Sequence, residues 1–97
     1  VAFMDKYLPE ANKSDWLNVY GYTIAQTLVS VLKAAGNDLT RANVMKQATG
    51  LKNVQLPMLI NGTALNNSAE RHTPMTSLQL IRYDGTRWVP FGDLLRN

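Results

Sequence analysis

The chain has 97 residues, 45% of them hydrophobic, and a formal net charge of +3. A chain of this length holds one core and buries about 60–70% of its unfolded surface. The absence of cysteine excludes disulfides and thiolate zinc sites, and no apolar run approaches the roughly 18 residues of a membrane span.

Residues Ala2–Leu8 form a short amphipathic segment with Phe3, Tyr7 and Leu8 on its apolar side, halted by Pro9. Pro9–Ser14 is a polar loop. Ser14 or Asp15 caps a long helix, and Trp16 is expected to pack back on that loop. Leu17, Tyr20, Ile24, Leu28, Val31, Leu32 and Ala35 fall at spacings of three and four, which places one apolar stripe on one helical face. On this pattern Tyr20 packs in the core and Tyr22 at its edge. Gly36 supplies the left-handed stop, Asn37-Asp38 continue the turn, and Thr40 caps a second, short helix that ends at Gly50. Leu39 is placed to staple onto Val44 across that cap.

After Gly50 the texture changes. Pro57 denies a backbone donor and pushes Leu56 towards an extended conformation, so Leu51–Pro57 reads as a connector. Met58–Ile60 and Thr63–Leu65 read as short extended pieces around an Asn61-Gly62 turn, and Asn66–Pro74 as a polar surface loop. Ser77–Tyr83 alternates around Leu78, Leu80 and Arg82, then Asp84-Gly85 precedes Arg87–Phe91. This predicts a β-hairpin with a type I′ turn, in which Pro90 marks an edge.

The search for chemistry constrains by what it fails to find. His72, the single histidine, stands in a loop beside Glu70 and Arg71 without ligand-like spacing. Ser30 and Ser77 lack a nucleophile-elbow sequence, so neither they nor any acid–base pair suggests an enzyme. The ten Lys and Arg residues are scattered from Lys6 to Arg96, and only Arg82 and Arg87 approach each other across the hairpin, so no nucleic-acid surface is expected. The segment from Thr40 to Leu51 would suit the first helix of a helix-turn-helix, but Pro57 leaves no recognition helix behind it. Three Asn-x-Ser/Thr acceptors, at Asn12, Asn61 and Asn66, are what asparagine-rich turns produce by chance. No cofactor or metal is implied.

The stretch Gly21-Tyr22-Thr23-Ile24-Ala25-Gln26 through Leu32-Lys33-Ala34-Ala35-Gly36, followed by Asp38-Leu39-Thr40-Arg41 and Val44, resembles the last third of the periplasmic substrate-binding proteins of branched-chain amino acid (Leu/Ile/Val) ABC transporters. Leu56-Pro57-Met58-Leu59, Asn61–Ser68 and the run from Leu78 to Trp88 around Asp84-Gly85 continue the resemblance in order, over nearly the whole chain. The resemblance implies an α/β protein. The chain would be the C-terminal portion of a two-lobed type I periplasmic-binding-protein fold, α-α-α followed by strands and a C-terminal hairpin. On that reading residues 1–97 form one fragment: 1–76 contribute mainly to the N-lobe, about 77–82 form the last crossing strand, and 83–97 form the hairpin arm.

The same resemblance implies a solute-binding component of an uptake transporter in the bacterial periplasm. It would bind an amino acid or small carboxylate between lobes and dock, when closed, on a membrane permease. Leu17 occupies the family's apolar contact position before the helical tyrosine, and Tyr20 is the nearest aromatic, so these two are the expected ligand-binding residues. Most binding chemistry in the family precedes the region corresponding to Val1. A lone fragment of such a lobe is expected to self-associate. The alternatives are a ligand-sensing module of a signalling receptor and a small α+β interaction domain. A signal peptide with two lobes, a transmembrane helix with a signalling domain, or a nearby start methionine before Val1 would separate the three.

Overall fold

Asp15, not Ser14, begins the dominant element: its carboxylate accepts the Leu17 N–H at 2.9 Å and opens helix α2, Trp16–Ala35. The computed structural model describes residues 1–96. Before α2 lies a single short helix, α1, Ala2–Tyr7, which ends one residue earlier than the hydrophobic pattern suggests. It leans on α2 through Phe3, whose ring meets Tyr22 edge-on at 5.3 Å, and Lys13 pairs with Asp5 over the intervening loop.

Helix α2 stops at Gly36, which adopts φ +61 and ψ −131 and returns its N–H to Leu32 O at 3.1 Å. That conformation differs from the left-handed helical cap expected, yet it demands glycine even more strictly. Asn43 then stitches the link, donating from Nδ2 to Asp38 O at 2.7 Å and to Ala35 O at 3.2 Å. Thr40 Oγ1 accepts the Asn43 N–H at 3.3 Å and starts α3, Arg41–Thr49, which packs along the C-terminal part of α2. Gly50 closes α3 with φ −98, so its stop uses no left-handed geometry.

The region after α3 departs from the expected strands. Met58 and Leu59 lie in turns, and Val54, not Met58–Ile60, makes the antiparallel bridge to Leu65. The Asn61-Gly62 turn is present, with Gly62 at φ +84 and Thr63 N–H donating to Ile60 O at 3.0 Å. Asn66–Pro74 is irregular, but two of its residues tie the region together. Asn66 Oδ1 accepts the Asn53 N–H at 2.8 Å, and Asn67 reaches back to α3 from its side chain.

Four short strands follow: β1, Ser77–Leu78; β2, Ile81–Tyr83; β3, Trp88–Pro90; and β4, Leu95–Arg96. They form two separate antiparallel pairs. β2 and β3 make the expected hairpin, in register Ile81↔Pro90, Arg82↔Val89 and Tyr83↔Trp88, with Pro90 in its last pair. β1 does not extend that hairpin; it pairs with β4 as Ser77↔Arg96 and Leu78↔Leu95. The turn is not type I′ either. That turn requires two successive positive φ angles, whereas of its residues only Gly85 has one, at +102. Asp84 Oδ1 takes the N–H groups of Thr86 and Arg87 at 2.8 and 2.9 Å, and this side-chain cap replaces the missing backbone geometry.

The architecture is therefore mixed helix and strand, with small antiparallel sheets, spread over 51 × 37 × 15 Å. Its radius of gyration is 16.2 Å, against about 12.5 Å for a compact domain of this length. Among the described residues only Val31, Ala35 and Leu65 are buried hydrophobics, where α2 meets the Val54–Leu65 bridge region. The extended shape and the thin core have one cause: a single layer of elements has no second layer against which to close.

Candidate functional site

Helix α2 presents Tyr20, Ile24 and Leu28 in a row, four residues apart, and they remain 60%, 51% and 54% exposed. A spacing of four keeps successive side chains on one helical face, about 6 Å apart along the axis. Val44 and Ala48 of α3 and Met58, Leu59, Leu65, Pro74 and Met75 from the irregular region form the opposite wall. Together they enclose an open groove of about 710 Å³.

The groove is apolar although two threonines line it. Thr23 Oγ1 donates to Val19 O and Thr27 Oγ1 to Thr23 O, both at 2.9 Å, so each hydroxyl is satisfied within the helix. Hydroxyls committed to a carbonyl four residues back add little polarity to the face they occupy. Such a surface suits aliphatic or aromatic matter rather than charge.

The structure separates the two ligand-binding residues expected from sequence. Tyr20 lines the groove and meets Trp16 edge-on at 6.2 Å; Leu17 is 56% exposed and lies outside the groove lining. The expected burial order of the tyrosines is also reversed, for Tyr22 is half-buried by Phe3 while Tyr20 faces out. Trp16 does not bury itself on the preceding loop. It stands 68% exposed at the mouth of the groove. The N–H of Leu17 is already taken by Asp15, and that of Asn18 by Asp15 O at 3.1 Å, so contact at this end would come from side chains. Sequence pattern missed the far wall because Met58, Pro74 and Met75 come from segments without periodicity.

Among the described residues no Asp, Glu, His, Lys or Arg lines the groove. Hydrogen bonds from the Thr40 hydroxyl and then the Thr40 N–H hold the Asp38 carboxyl below its usual range. Those from Arg87 N–H and then Thr86 N–H do the same for Asp84. Both carboxylates cap turns. His72 is exposed and its Nε2 lies 3.0 Å from Ala69 O, as a loop histidine would. Among the described residues no group of His, Asp and Glu is arranged to hold a metal ion, and no helix is long and apolar enough to cross a membrane. No family model, curated protein or solved structure matches this chain.

Proposed function

We propose that the chain is part of a two-lobed solute receptor of the branched-chain amino acid uptake type, acting in the periplasm with a membrane permease and binding an amino acid or small carboxylate. The observation that carries this reading is the uncovered stripe Tyr20–Ile24–Leu28 on a well-capped helix. In an α/β lobe, a helix of this kind lays its apolar face on a parallel sheet, which lies outside these residues. The resemblance in the order of its motifs, from Gly21 to Trp88, supplies the receptor class.

On this reading α3 and most of α2 are scaffold, and the N-terminal end of α2, from Trp16 to Tyr20, is the part that reaches the ligand. Tyr20 and Trp16 offer aromatic surface there, with Leu17 beside them as an aliphatic contact. Closure would follow from contacts that exist only when the lobes meet. The test uses the intact parent polypeptide that carries this sequence. Titration of its tryptophan fluorescence with leucine, isoleucine, valine and small carboxylates should saturate for at least one of them. Flat responses across the panel overturn the proposal.

A further inference from the structure

The geometry points to a second site, a small oxyanion site at Arg96, away from the apolar groove and independent of the receptor reading. The pairing of β1 with β4 sets Arg96 against Ser77, and the Val54–Leu65 bridge brings Asn66 and Thr63 to the same place. Between them lies a cleft of about 270 Å³, lined by Gln55, Thr63, Asn66, Thr76, Ser77 and Arg96, and among the described residues no side-chain carboxylate lines it.

The donors of this cleft are largely uncommitted. Asn66 uses Oδ1 to accept the Asn53 N–H, which leaves its amide N–H₂ for another partner. Thr63 Oγ1 donates to Ile60 O at 2.6 Å and keeps its lone pairs. The hydroxyls of Thr76 and Ser77 and the guanidinium of Arg96 bond to none of the described residues. Arg96 lies over the Ile60–Thr63 turn: a Cβ placed on Gly62 would come 3.5 Å from its Nη2. A forked cation flanked by hydroxyl and amide donors matches a carboxylate or a phosphate, both of which accept two parallel hydrogen bonds. The volume limits the ligand to a small one.

The full chain, labelled with ¹⁵N, is titrated separately with inorganic phosphate and acetate against chloride at matched ionic strength. The expected result is saturable amide shifts confined to Thr63, Asn66, Thr76, Ser77 and Arg96 with at least one anion; the stronger response tells phosphate from carboxylate. Arg96→Gln should weaken binding at least tenfold, whereas Lys33→Gln, which removes the same charge from a residue of α2 that does not line the cleft, should change it less than twofold. Thr76→Val, which keeps the charge and the side-chain shape, should weaken it severalfold. Shifts that chloride reproduces, an affinity unchanged in Arg96→Gln, or equal losses in both charge variants would each overturn the site.

Discussion

Asn67 Nδ2 donates to Ala48 O at 3.1 Å, across 19 positions of sequence. The backbone N–H of Asn67 also donates to Leu51 O at 2.8 Å, so one residue ties the last turn of α3 and the chain beyond it to the irregular region. Carbonyls in the last turn of a helix have no partner within the helix, and Ala48 is one of them. This bond therefore serves as a distant C-cap, and it holds the groove wall near Leu65 in place.

Asn67→Ala should destabilise the fold by about 1 kcal/mol, the net worth of one hydrogen bond to a carbonyl. Asn67→Asp should cost about 2–3 kcal/mol, because a carboxylate cannot donate to Ala48 and brings a charge into a desolvated position. Asn67 Oδ1 is itself buried without a partner, which makes the added charge still less welcome. Midpoints of urea unfolding should rank wild type, Ala, then Asp; a reversed order of the two variants contradicts the capping role.

The exposed stripe has a consequence for the isolated chain. Its accessible surface is 7798 Å², whereas a compact monomer of this mass exposes about 5,500 Å². The difference exceeds the roughly 800 Å² that each partner contributes to a standard interface. The chain should therefore self-associate at tens of micromolar concentration, and Ile24→Glu, placed mid-stripe on an exposed helical position, should shift it towards monomer. Light scattering reads both. A compact monomer at high concentration would sink the expectation.

How much of this was legible in the sequence depends on whether the determining contact is local. The cap at Thr40, the stop at Gly36 and the extent of α2 follow from residues within a few positions of each other, and the structure has all three. The partners of Val54 and of Ser77 lie at Leu65 and Arg96, and a period-two pattern says that a segment is extended without saying what it pairs with. The candidate site divides in the same way. Periodicity marks the face of Tyr20, but burial depends on what covers that face, and among the described residues nothing does. Hence Tyr20 is exposed where amphipathicity alone predicts core.

The two helix-ending glycines should respond differently to alanine. At Gly36 there is open space for a Cβ, but φ +61 with ψ −131 strains any L side chain, and Gly36→Ala should cost about 1–3 kcal/mol. At Gly50 φ is −98, an ordinary value, and the obstacle is Lys46 O at 3.0 Å from the added Cβ. A shift of a few tenths of an ångström at the last turn of α3 relieves it, so Gly50→Ala should cost less than about 1 kcal/mol. Thermal unfolding of the two variants checks the ranking, and equal losses would mean that the positive φ of Gly36 carries no cost beyond that of an ordinary helix end.

The Asp84 turn should weaken only in acid. Its folded-state pKa lies below the value of 3.8 for an unperturbed aspartate, because the carboxylate accepts N–H groups from Arg87 and Thr86. A depressed carboxyl stabilises the fold fully above the unfolded pKa, and that contribution is lost as pH falls from about 4 through the folded value. Neutral and alkaline pH leave it unchanged. Asp84→Ala removes the acceptor, so it should loosen the turn at pH 7 and also abolish the acid step. Asp84→Asn retains a neutral oxygen acceptor, so it should keep part of the order while losing the pH dependence. The ring contact of Tyr83 with Trp88, at 5.3 Å across the strand ends, provides the readout. Trp88 indole and Thr86 amide shifts followed from pH 7 to pH 2 should show one acid transition in the wild type and none in either variant, and a transition of the same size in Asp84→Asn would assign the acid sensitivity to another group.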